Sequence, residues 1–215
     1  MSRNFDLHNH SRYSYDCFMS PRAILKKARA RGLHGIAITD HETIAGGLEC
    51  RAINPYPELH VIVGTEIKTE YGDVVGLFLE SDIQSRRFAD VLKEIHAQGG
   101  LTVLPHPGKK SPDPILPFFD AIDIIEAFNA RSKATWNEVA TKLAETYRKP
   151  VVASSDAHNY FEIARSYVQL DLPETYSESE IRSALLRAGN KTHRRVTNFY
   201  LSHIASVCVE KIKRA

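Results

Sequence analysis

Short apolar runs bounded by turn residues recur along the chain, over residues 5–7, 35–39, 60–64, 101–104, 122–128 and 151–153, and their length predicts buried strands. Between several of them, apolar residues return at helical spacing. In SPRAILKKARARG, residues 20–32, Ser20 stands where a helix cap belongs, Pro21 at the first helical position and Gly32 where the helix must end. Residues 85–98, 133–148 and 178–188 have the same character. Strand and helix therefore alternate, which predicts an α/β fold of parallel strands with helices packed outside.

Three stretches depart from that rhythm. In TEIKTEYGDVVGLFLE, residues 65–80, Gly72 and Asp73 separate two strand-like runs, and the segment reads as a hairpin appended to the third strand. The proline-rich residues 106–117 follow a strand directly and read as an irregular loop. Near the end, Val196, Phe199, Tyr200, Ile204, Val207 and Ile212 recur at roughly helical spacing, predicting a closing helix over about 196–213 packed on the rest of the fold.

Composition narrows the class. With 215 residues, 43% hydrophobic and 25% charged, and no repeat or long linker, the chain predicts one domain over 1–215. A net charge of +2 is too small to indicate a nucleic-acid or membrane surface. Cys17, Cys50 and Cys208 are widely spaced and form no CxxC pair, as expected of reduced thiols. The polar start MSRNFD and the lack of a long apolar stretch predict a cytoplasmic protein with no membrane partner.

The strand ends carry the chemistry. His8 and His10, two positions apart, can project to one face of an extended segment. Asp40 and His41, Glu66, His106, Glu126, and Asp156 with His158 fall at or near the ends of later strands. Parallel strands gather such ends at one face of a sheet or barrel. Carboxylates and imidazoles crowded there without a counter-charge would be costly, and divalent cations remove that cost. A His, Asp and Glu set without thiolate favours Zn, Mn or Fe, and the number of donors calls for two or three ions. His34, His60, His96, His193 and His203 lie at strand starts or in helices away from that face.

The ordered segments DLHNHSRYSYD, GIAITDHETIAGG, VGTEI, VLPHPG, IIEAFNAR and SSDAH, from residue 6 to about 168, resemble the motifs of the PHP (polymerase and histidinol phosphatase) metal-dependent phosphoesterases. The resemblance implies a distorted seven-stranded (β/α)7 barrel, similar to a TIM barrel but smaller. It also implies that His8, His10, Glu66 and Asp156 hold one metal, that Glu66 bridges to a second bound by His106, and that Asp16, His41 and His158 take a third. Where relatives supply a further histidine or cysteine ligand, residues 126–129 offer neither, and Glu126 is the substitute.

The activity implied is hydrolysis of a small phosphorylated substrate, a phosphomonoester or nucleotide-like ester, by a hydroxide held between two cations. His41, His158 and Asp156 are the candidates for proton transfer, and Arg131 in NAR for gripping a phosphate bidentately. Lys109 and Lys110 read as surface charges. The alternatives are a 3′–5′ exonuclease or phosphodiesterase acting on nucleic acid, and a metal-binding regulatory module without turnover.

Overall fold

A computed structural model describes residues 1–214. Its frame is a sheet of nine strands: β1 (Ser2–Asp6), β2 (Gly35–Ile38), β3 (His60–Lys68), β4 (Asp73–Leu77), β5 (Leu101–Leu104), β6 (Ile124–Asn129), β7 (Val151–Ser154), β8 (Tyr167–Asp171) and β9 (Lys191–His193). Their spatial order is β7-β6-β5-β4-β3-β2-β1-β8-β9. The helices are α1 (Pro21–Ala30), α2 (Ala45–Ile53), α3 (Phe88–Ala97), α4 (Ala134–Tyr147), α5 (Glu178–Leu185) and α6 (Phe199–Arg214).

Strands β1 to β3 run parallel to one another, as do β5 to β7, and β4 lies antiparallel between the two sets. Just beyond β1 and β7, Asn9 and Ala157 form a parallel bridge, in which His10 N donates to Ala157 O at 2.9 Å and Ala157 N to His8 O at 3.3 Å. This seam nearly closes the sheet into a barrel. The α/β barrel expectation holds, and the strand count is corrected from seven to nine. The (β/α)7 regularity also breaks at the hairpin, because the loop over residues 69–72 is too short for a parallel crossover, which needs a dozen or more residues. The hairpin is a member of the sheet and not an appendage.

A period of two sorts the side chains. Leu7, Ala37, Ile62, Val75, Leu77, Val103, Ile124 and Val152 belong to one buried cluster inside the barrel. Their outward neighbours Ile36, Ile38 and Val61 pack with Ile24, Leu25 and Ala28 of α1, while Val63, Val74, Leu104 and Ile125 pack with Phe88, Val91 and Ile95 of α3. Ile181, Ala184 and Leu185 of α5 join the interior cluster together with β8.

Local sequence signals are met unevenly. Pro21 opens α1 and Gly32, at φ 74°, follows its end, but the Ser20 hydroxyl makes no cap bond; its backbone N–H donates to Tyr160 Oη at 2.9 Å. Helix α5 begins with a full capping box between Ser177 and Glu180. The stretch at 106–117 is not wholly irregular, since Pro107–Lys109 and Asp113–Ala121 form 3-10 turns. Helix α2 had no sequence forecast, because Gly46 and Gly47 argue against a helix. Packing overrides propensity there: a Cβ at Gly46 would strike the Asp40 carboxylate and Ser11 Oγ.

Helix α6 reverses its expected orientation. Its buried residues are Ser202 and Ser206, whereas Val196 before it and Tyr200, Ile204, Val207 and Ile212 along it are exposed. Polar anchors hold the helix down instead of an apolar face. Lys213 Nζ donates to the carbonyls of Arg12, Ser14 and Cys17 at 2.6–2.7 Å. Among the described residues, no helix is long and apolar enough to cross a membrane.

Candidate metal centre

The strand ends converge as their alternation requires. His8 and His10 follow β1, His41 follows β2, Glu66 lies on β3, His106 follows β5, Glu126 lies on β6, and Asp156 and His158 follow β7. Asp16 arrives from the loop before α1. His106 and Asp156 have positive φ, 33° and 52° respectively. Such left-handed turns, uncommon for residues with a Cβ, mark positions where the surrounding structure fixes a side-chain direction.

Around the first candidate cation, His8 Nε2 lies 3.3 Å from Glu66 Oε2 and 3.7 Å from Asp156 Oδ1, and His10 Nε2 lies 3.4 Å from each of those oxygens. Four donors at about 2.1 Å from a tetrahedral ion are separated by about 3.4 Å, so the spacing fits a cation without rearrangement. Both Nε2 atoms are buried and lack a hydrogen-bond partner among the described residues. That is expensive for an imidazole unless something occupies the lone pair.

The other ring nitrogens explain where those lone pairs point. His8 Nδ1 lies 3.1 Å from Glu126 Oε1, which can only accept, so this nitrogen carries the proton. His10 Nδ1 lies 2.9 Å from Ser14 Oγ, and that hydroxyl in turn donates to Asp40 Oδ1 at 2.8 Å. Both rings are thereby held with Nε2 turned to the centre, the arrangement that orients a metal-binding histidine.

Two further groups adjoin the first. Asp16 Oδ2 lies 2.9 Å from His158 Nε2 and 3.5 Å from His41 Nε2, and His10, Asp16, His41 and His158 together form one set of donors able to share an ion. Glu66 Oε1 lies 3.1 Å from His106 Nε2, and these two residues form another set with Asp73. Glu66 thus faces both the first and the second set.

Without a cation, the carboxylates draw protons onto part of the cluster: burial opposes a proton on His8, but Asp156, Glu66 and Glu126 outweigh it and raise His8 well above the usual histidine range. Burial works against ionised carboxylates, yet the neighbouring histidines hold Glu66 and Asp156 well below the usual range. Burial together with the nearby His158 and His41 pushes His10 down to about 3 and keeps it neutral, as a ligand must be. His41 moves the other way: burial opposes its proton, but the Glu66 and Asp16 carboxylates outweigh burial and raise it to about 9.

Two expected site residues take other positions. Glu126 is in none of the three donor sets; its Oε1 meets His8, and its Oε2 accepts from His106 N–H and Asn129 Nδ2, both at 2.9 Å. Its contact with the candidate centre runs through His8. Arg131 is buried, and its terminal nitrogens already contact His158 Nδ1, Asp156 O, Ser202 O at 3.0 Å and Ser206 Oγ at 2.8 Å. It ties the end of β6 to α6 at the edge of the cavity.

A cavity of about 350 Å3 lies over these groups. Lys68 and Lys110 on its wall have no ion-pair partner among the described residues, and Tyr15 stacks on His41 with ring centroids 4.6 Å apart. His203, expected away from the site, lines the cavity because α6 crosses its mouth. Asp73 lines the cavity too, as the first residue of β4 and not part of the turn that Gly72-Asp73 suggests in sequence. The inward alternation Leu77, Val75, Asp73 would have revealed it once the loop was placed at 69–72.

Residues 134–189 match a family described as PHP-associated. An uncharacterized protein of Methanocaldococcus jannaschii is 38% identical over 141 residues, which cover 58% of this chain and 81% of that one. A 5′–3′ exoribonuclease of Haemophilus influenzae is 37% identical over 71 residues, 33% of this chain and 26% of the relative. In three dimensions, a two-domain protein from Bacteroides vulgatus containing a predicted PHP-like metal-dependent phosphoesterase superposes with a TM-score of 0.78 at 20% identity, over 91% of this chain and 65% of its own. The sequence shared with the archaeal relative, the matched segment and the common barrel agree with the motifs in residues 6–168: the chain belongs to the PHP domain family.

Proposed function

We propose that the protein is a metal-dependent hydrolase of small phosphate esters. The observation that carries this reading is the pair of buried, unpartnered Nε2 atoms of His8 and His10 facing the Glu66 and Asp156 carboxylates. In this reading His8, His10, Glu66 and Asp156 hold one divalent cation, Glu66 and His106 a second, and Asp16, His41 and His158 a third; Zn, Mn or Fe suits the donors. Bound cations supply Lewis acidity and activate water at neutral pH.

The remaining work falls to side chains. Lys68 and Lys110 face the cavity as point charges for phosphate oxygens. In a centre of two cations His41, raised to about 9, is the acid for the leaving oxygen, with His158 beside it across Asp16. Asp16, between them, orients both rings. Arg131 holds α6 over the mouth.

A second reading, cleavage of a nucleic acid, draws on Tyr15 stacked beside the site, the unpaired lysines and the local similarity to an exoribonuclease. One experiment separates the two. Protein reconstituted with Mn2+ is offered p-nitrophenyl phosphate, bis-p-nitrophenyl phosphate and a 5′-phosphorylated oligoribonucleotide. Faster, chelator-sensitive turnover of the monoester supports the leading reading, faster loss of the oligoribonucleotide supports the second, and no turnover of any of them counts against both.

A further inference from the structure

We propose that Asp73 is the third protein ligand of the second cation site, completing Glu66 and His106; the assignment rests on the metal-centre reading above. A carboxylate and one imidazole are a poor set for a divalent cation, which ordinarily takes three or more protein donors. Glu126 stands outside the donor set that contains Glu66 and His106, and its oxygens face His8, the His106 N–H and Asn129.

Asp73 has the position and the spare capacity. In the β3–β4 hairpin Glu66 pairs with Val75 and Lys68 with Asp73, so all four side chains share the face that looks into the barrel. Val75 fills the interior, and Asp73, two residues nearer the mouth, extends the same row to the level of the strand ends. Its carboxylate and donor atoms of Glu66 and His106 all lie within 4.8 Å of one another. The sole ion-pair partner of Asp73 among the described residues is Lys109 Nζ, at 3.5 Å.

That partner sharpens the assignment. Lys109 ends the 3-10 turn that follows His106 and sets its ammonium against Asp73, with the lysine side chain half exposed. A divalent cation at Glu66 and His106 competes with the ammonium for the carboxylate and, with twice the charge and direct coordination, displaces it. The donors then comprise two carboxylates and one imidazole, a harder set than the first site's, which suits Mn2+.

The test uses the full-length chain freed of metal with a chelator and dialysed against Mn2+, with metal per chain read by elemental analysis and binding followed by electron paramagnetic resonance. Wild type is expected to carry at least two ions, Asp73→Asn one fewer, and Lys109→Met the full number with equal or tighter affinity. A full complement in Asp73→Asn overturns the assignment. So does loss of the same ion in Lys109→Met, since that would make the Asp73–Lys109 pair, and not coordination, the contribution of Asp73. Lys109→Met tests the ion-pair alternative alone; where Asp73→Asn does not fold, Asp73→Ser is read in its place, and a full complement of ions in it overturns the assignment equally. A wild-type protein that takes up no metal fails earlier, and overturns the metal centre itself.

Discussion

Glu126 Oε1 stands 3.1 Å from His8 Nδ1, on the side of the imidazole facing away from the metal centre. The carboxylate fixes the tautomer and raises the basicity of Nε2, and partners of this kind typically contribute 10–100-fold to metal affinity. Glu126→Ala is therefore expected to keep the wild-type number of bound ions while binding the first about 10–100-fold more weakly in Mn2+ titrations. Loss of a whole equivalent would make Glu126 a ligand.

Removing His10 should be more severe. Its Nε2 faces both Glu66 and Asp156, so His10→Ala deletes one of the four donors proposed for the first cation. Turnover of p-nitrophenyl phosphate should fall by more than about 100-fold, beyond what loss of an orienting partner causes. An unchanged rate in a folded His10→Ala protein would contradict the proposed centre.

Metal binding should also be visible as stability. An ion present at about 1,000 times its dissociation constant stabilises the folded state by about 4 kcal/mol. At about 2–4 °C per kcal/mol for a chain of this size, chelation should lower the melting temperature by about 8–16 °C. Calorimetry with and without chelator, followed by Mn2+ restoration, measures it; identical curves would argue that the centre stays empty in solution.

Arg131 anchors α6 through Ser202 O and Ser206 Oγ, and the barrel-facing side of that helix offers little apolar burial to replace those bonds. Each hydrogen bond to a charged group contributes about 1.5–3 kcal/mol. Arg131→Met should thus loosen α6 and raise proteolytic cleavage within residues 195–214 by roughly tenfold or more, read by mass spectrometry of limited digests. A digestion pattern like that of wild type would remove the anchoring role.

On the opposite end of β1, Asn4 N–H donates to His34 Nδ1 at 3.1 Å, which requires a neutral ring, and burial together with Arg3 lowers the pKa of His34. Folded His34 thus binds a proton less readily than unfolded His34 does at about 6.5. Its contribution to stability is present above that pH and is lost as pH falls below it. In chelated protein, His34→Gln should reduce the loss of melting temperature between pH 7.5 and pH 5.5; an identical loss would place the acid sensitivity elsewhere.

What the sequence made legible follows from what local patterns encode. Strand ends that carry His, Asp or Glu stand out because inward alternation continues from core into site: Ile62 leads to Glu66 and Ala37 to His41. Tertiary facts were hidden. Helix α2 contains two adjacent glycines, and a side chain in their place would meet Asp40 at Gly46 and Val63 at Gly47. The apolar residues of α6 suggested a packing face, whereas the structure holds that helix by Lys213 and Arg131, and long-range polar contacts leave no periodic trace. Glu126 stands at the strand end that alternation predicts, and its contact with His8 Nδ1 is visible only in the fold.

The Asn9–Ala157 bridge sets the order in which the molecule can mature. Its two sides are separated by most of the chain, so the loop it closes is among the most demanding in entropy and the last to be rewarded during folding. A growing polypeptide that has emerged only through β6 has His8, His10 and Glu66 but neither Asp156 nor His158. In the proposed centre the first ion would therefore find its full set of donors only once β7 has been synthesised and docked against β1, and a chain broken off before that point would have no way to assemble it.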